Sequence, residues 1–133
     1  MTTPKWVSPL FTVAAIYDGV LGVLFLVAPS LPFRWFDVPP PNHMGYAQFP
    51  AALLVIFGLM FTRIAKDPVV NRCLIPYGIL LKVAYCGVVG GYWLAGGLPG
   101  MWKPFVVVDL VMGALFCWAW RRLGQEFPAD KPA

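Results

Sequence analysis

Charge is what this chain has least of: only 12% of its 133 residues are Asp, Glu, Lys or Arg. A water-facing globular surface draws on about 25% charged residues, so a soluble domain of this size is excluded. Histidine occurs once and cysteine three times. A lone imidazole supplies neither a pair of axial haem ligands nor the ligand set of a catalytic metal. Cys73, Cys86 and Cys117 show no C-x-x-C spacing, which sets aside a disulfide framework and a zinc site. Phosphate-cradling and nucleophile motifs are missing too: there is no G-x-G-x-x-G, Walker A, H-E-x-x-H or G-x-S-x-G. No catalytic residue and no metal site is therefore assigned, and any cofactor stays unknown.

What the chain does have is apolar sequence, 59% of the whole. A helix needs about 20 residues to cross a hydrocarbon core of about 30 Å. Four runs meet that length, at 10–28, 46–65, 74–96 and 104–121. Helices satisfy every backbone polar group inside lipid, and the runs lack the period-2 alternation of barrel strands. The expectation is an all-α polytopic membrane protein, a four-transmembrane-helix bundle forming a single membrane domain over 1–133. Pro9, Pro50, Pro76 and Pro104 fall at or near the expected helix starts, where a missing N–H costs little. Trp6, Trp35, Trp93, Trp102, Trp118 and Trp120 lie near helix ends or in connections, as an aromatic belt at the lipid–water interfaces would. A secretory signal fits residues 10–28 poorly, because that run is long and carries Asp18 at its centre.

The net charge of +4 does not point to nucleic acid, since the basic residues stand at the ends of apolar runs without interleaved stacking aromatics. They read as topology signals. One side holds Lys5, Arg63, Lys66, Arg72, Arg121, Arg122 and Lys131, and the other only Arg34 and Lys103. The positive-inside rule then puts both termini in the cytoplasm of a cell whose inner (plasma) membrane holds the chain. The connection 29–45 contains Pro32-Phe33-Arg34-Trp35-Phe36, suited to a short interfacial segment, and then a stiff Pro39-Pro40-Pro41 stretch. Lys66-Asp67-Pro68 with Asn71-Arg72 reads as a capped turn, and 124–133 as a mobile tail.

Three ionisable residues fall inside spans: Asp18, Lys82 and Asp109. Asp18 and Lys82 each lie eight residues past an expected helix start, about 12 Å deep from the same face. Asp109 enters from the opposite face. Asp18 and Gly22 are four apart; Gly78, Lys82, Cys86 and Gly90 form one i, i+4 stripe, and Asp109, Gly113 and Cys117 another. Small-residue faces are where membrane helices approach one another, so the three charges are expected to point inward and meet. Pairing relieves the cost of a buried charge, about 2.5–3.5 kcal/mol at mid-bilayer on insertion scales. Two carboxylates share a single ammonium, and the second is either protonated or paired with a substrate, ion or water. The set suits interhelical glue and a proton, ion or ligand site alike. Tyr17, Tyr77 and Tyr85 are possible linings of the same interior. Asn42, His43, Tyr46 and Gln48 form a polar cluster on the outer side, where interfacial hydrogen bonding is the plain reading.

Tyr17-x-Gly19-Val20-x-Gly22-x3-Leu26 matches Tyr85-x-Gly87-Val88-x-Gly90-x3-Leu94, the mark of a parallel repeat of two-helix units. The four short spans, the Gly-rich first helix with its Pro-containing connection and the Gly-rich third helix resemble the DoxX-like group of small bacterial membrane proteins, over about Tyr17 to Arg122. That group includes quinone-linked oxidoreductase subunits, so the resemblance implies a quinone-linked membrane subunit among the alternatives. No motif of the group carries a site residue across. The leading expectation is a non-catalytic subunit or lipophilic-ligand-binding module in the lipid bilayer, working as a homo-oligomer or within a larger complex. A proton- or ion-coupled transporter or channel is the other alternative.

Overall fold

The computed structural model describes residues 2–128. Within them the chain folds as α1 (Val7–Val27), α2 (Ser30–Trp35), α3 (Gly45–Lys66), α4 (Ile75–Ala95) and α5 (Lys103–Glu126), with short 3₁₀ turns at Arg72–Leu74 and Gly100–Trp102. α1, α3, α4 and α5 are the four helices long and apolar enough to cross a membrane. No strand occurs among the described residues. The fold is an all-α four-helix bundle, and all but one of the observed helix ends fall within one turn of the expected limits. α5 is the exception. It continues to Glu126, so residues 124–126, expected in a mobile tail, are helical, while 129–133 lie outside the described residues.

Each helix buries the stripe its small and aromatic residues mark out. In α1 the stripe is Val7, Phe11, Ala14, Asp18, Gly22 and Phe25, and in α5 it is Val106, Asp109, Met112, Phe116, Ala119 and Leu123. These spacings of three and four residues keep one face of a helix on one side. α1 packs along the length of α3, and α4 along α5. The closest approach joins α1 to α3: a Cβ on Gly22 would stand 2.8 Å from the Ala51 carbonyl oxygen, and one on Gly58 would stand 3.1 Å from Gly19 Cα. Glycine is what lets these backbones touch.

The two helix pairs meet near the basic end, which carries the N-terminus. There Phe11 of α1 stacks on Phe116 of α5 at 4.7 Å between ring centroids, and Phe61 of α3 lies 5.2 Å from Phe116. The edge of Phe61 occupies the space a side chain at Gly78 of α4 would need. All four spans thus share one plug of three aromatic rings. At the far end α2 turns one side inward: Phe33 is buried edge-on to Phe25 and Trp102 stacks on Phe25 at 6.0 Å, while Arg34 and Trp35 stay exposed. Gly96 and Gly97 end α4 with φ of 92° and 83°, a left-handed turn that favours glycine. The matched Tyr-Gly segments sit on α1 and α4, one in each pair. They pack differently, since Gly22 is pressed against α3 whereas the nearest contact to a Cβ on Gly90 is 3.7 Å away.

Candidate functional site

Asp18, Lys82 and Asp109 come together at the centre of the bundle. Lys82 extends from α4 and donates to Asp18 Oδ1 at 3.0 Å, to Asp18 Oδ2 at 2.9 Å and to Asp109 Oδ1 at 3.0 Å. All three residues are buried, with 1%, 2% and 7% of their surfaces exposed for Asp18, Lys82 and Asp109. The ammonium has three protons, and each is used. It also sits 5.4 Å from the centroid of the Tyr17 ring and 6.0 Å from that of Phe61, a further relief for a cation removed from water. The carboxyls are not matched in number: with both ionised, one unit of negative charge is left over, and Asp109 Oδ2 takes no hydrogen bond among the described residues.

Beside this set lies a cavity of about 500 Å³. Its back wall is α1 and α5, through Tyr17, Asp18, Leu21, Phe105 and Asp109. Its sides are α3, through Pro50 and Leu54, and α4, through Leu81, Ala84 and Tyr85. Phe25 and Trp102 of the far-end cluster close the top. The wall residues exposed to the outside, Tyr46 and Leu53 on α3 with Ala84 and Tyr92 on α4, place the mouth between those two helices. Asp18 and Asp109 belong to the wall, whereas Lys82 stands behind them. Lys82 is thus hidden behind its own partners, and the cavity faces carboxylate.

Among the tyrosines, Tyr17 and Tyr85 line the cavity and Tyr77 does not. Tyr77 is 59% exposed and correcting its placement needs only helix phase. Gly78 and Lys82 face inward on α4, so the residue just before Gly78 is turned by about 100° and faces outward. Tyr85 donates its phenol to the Trp102 carbonyl at 3.2 Å, tying α4 to the turn before α5. The hydroxyl of Tyr17 is fully buried and has no partner among the described residues, which is uncommon for a phenol in a packed interior.

The outer polar cluster divides by role. His43 Nδ1 accepts the Gly45 N–H at 3.0 Å and so caps α3, and Gln48 donates to the free Leu26 carbonyl at the end of α1, 3.1 Å away. The His43 and Tyr46 rings lie 6.4 Å apart, while Asn42 is exposed with no side-chain hydrogen bond among the described residues. No group of His, Cys, Asp and Glu able to hold a metal occurs among the described residues. Sequence reasoning missed the contribution of Pro50. Expected at a helix start, it lies inside α3, where it withholds the N–H that would pair with the Tyr46 carbonyl, and both residues line the cavity. The signal was present in the position of Pro50 five residues into α3. Comparison with known protein families, with curated proteins and with solved structures finds no match for this chain.

Proposed function

We propose that the chain is a non-catalytic binding module of the inner (plasma) membrane, with both termini cytoplasmic, that takes a lipophilic molecule into the cavity between its two helix pairs. One observation carries this reading: the cavity is apolar on most of its wall, opens sideways between α3 and α4, and ends on buried carboxylates. Its volume of about 500 Å³ falls within the range of small-molecule sites, about 300–1,000 Å³. A mouth on the helix faces that meet lipid suits a ligand arriving from the bilayer, and the charged floor suits a ligand with a polar head. Four spans enclose little volume beyond this cavity, which supports work as a homo-oligomer or as a subunit of a larger membrane complex.

Native mass spectrometry from mild detergent tests this reading, because it reports stoichiometry and bound small molecules together. The expected spectrum carries a lipophilic adduct that is lost when Ala84 at the mouth is replaced by Trp. A wild-type spectrum without any adduct, after reconstitution in lipid extract, would overturn the reading. A co-purifying quinone would favour the quinone-linked subunit that the DoxX-like resemblance implies. The leftover carboxylate supports a second reading, in which binding is coupled to movement of a proton or ion. Flux into proteoliposomes that survives Asp109→Asn would count against it.

A further inference from the structure

We infer that the occupant of the cavity is a lipophilic ammonium ion, its charged head on Asp109 and its apolar body directed out between α3 and α4. This rests on the binding role proposed above and narrows it to one chemical class. The donors and acceptors at the cavity floor decide the matter. Lys82 has spent its three protons on Asp18 and Asp109, and Tyr85 has spent its one on the Trp102 carbonyl. Acceptors remain: Asp109 Oδ2 takes no hydrogen bond from the described residues, and the Tyr17 oxygen, which is also the one donor left, has no partner. A quinone or ketone head offers acceptors alone: it could take only the Tyr17 proton and would leave Asp109 Oδ2 with nothing to accept. An ammonium head offers N–H donors where acceptors stand idle.

Charge points the same way. With both carboxyls ionised, two carboxylates against one ammonium leave the floor one unit negative, and a monovalent cation makes the set neutral. The cavity wall is also aromatic, with the rings of Tyr17 and Phe105 and, at the top, Trp102, and ring faces attract cations in dry surroundings. A bare metal ion would find too few oxygens, since hard cations take about six or more oxygen ligands and most of this wall is hydrocarbon. The geometry therefore selects an organic cation over an inorganic one.

The experiment measures saturable binding of radiolabelled dodecylamine, which is charged at neutral pH, to the whole protein in lipid nanodiscs, with empty nanodiscs subtracted. Dodecanol and decylubiquinone serve as neutral comparisons of similar apolarity. Dodecylammonium should bind about tenfold or more tightly than dodecanol, the equivalent of one modest charge interaction. Asp109→Asn should bring it down to the dodecanol level, and Ala84→Trp at the mouth should abolish binding of all three probes. If dodecanol or decylubiquinone binds wild type as well as dodecylammonium does, and Ala84→Trp still blocks it, the cavity takes neutral lipophiles and this inference falls while the binding role stands. If no probe saturates, or Ala84→Trp changes nothing, both fall. Should Asp109→Asn fail to fold, the comparison of probes on the wild-type protein decides alone.

Discussion

Lys82 Nζ stands 2.9 Å from Asp18 Oδ2, and this contact joins α4 of one helix pair to α1 of the other. The two pairs share the aromatic plug at the basic end, but in the middle of the bundle the ion set is what crosses between them. Its cost when broken depends on how the remaining charges balance. Lys82→Met leaves two buried carboxylates with no cation, whereas Asp18→Asn leaves one ammonium on one carboxylate and Asp109→Asn leaves the bidentate Asp18–Lys82 pair intact. The expected order of destabilisation is Lys82→Met, then Asp18→Asn, then Asp109→Asn, with the first losing about 3–5 kcal/mol. Thermal melting in detergent, followed by size-exclusion chromatography, checks the order; Asp109→Asn melting below Lys82→Met would refute it.

The meeting of these three residues was legible because Asp18, Lys82 and Asp109 each share a helical face with glycine, and the small face of a membrane helix is its packing face. The four spans were legible from length and apolarity alone. The cavity was not. Its existence depends on how far α3 and α4 stand apart above the Phe61–Gly78 contact, and that separation is a tertiary quantity that no periodicity carries. Tyr77 was misjudged because a phenol near the right depth was weighed without its helical phase. The packing of Phe33 on Phe25 and Trp102 was not legible either, because the aromatic pattern around Arg34 and Trp35 does not say which tertiary partners its buried side meets.

Glycine substitutions should separate the tight helix contact from the loose one. A methyl at Gly22 meets the Ala51 carbonyl oxygen at 2.8 Å and the Val55 nitrogen at 2.9 Å, both backbone atoms that cannot rotate away. A methyl at Gly87 or Gly91 meets nothing within 4 Å. Gly22→Ala should therefore cost about 1–3 kcal/mol through displacement of α3. Gly87→Ala should leave the melting temperature unchanged or raise it, since alanine is the better helix former. Equal melting of the two variants would show that α1 and α3 are not in the close contact described.

Arg72 predicts a coupled pair at the basic end. Its Nε donates to the Trp120 carbonyl at 3.1 Å, its guanidinium lies 5.0 Å from the centroid of the Trp120 ring, and the space beside Gly124 is filled by that same guanidinium. Arg72→Ala and Gly124→Ala should each remove this contact, the first by deleting the group and the second by pushing it away. Each should cost about 0.5–1.5 kcal/mol, and the double variant no more than the larger single effect. Additive losses in a double-mutant cycle would mean that Gly124 acts independently of Arg72.

Thiol labelling tests the orientation. Lys5, Arg63, Lys66, Arg72, Arg121 and Arg122 gather at the basic end, against Arg34 and Lys103 at the far end, and Lys131 lies outside the described residues. Cys73 is exposed in the turn between α3 and α4 at that basic end, whereas Cys117 is exposed on the apolar flank of α5. If the positive-inside rule governs this chain, a membrane-impermeant maleimide should leave Cys73 untouched in intact spheroplasts and modify it in inverted vesicles. Cys117, facing lipid, should resist the charged reagent in both preparations and react only after detergent. Labelling of Cys73 in intact spheroplasts would invert the topology, move both termini to the outside, and place the entrance of Asp109 on the cytoplasmic side of the bundle.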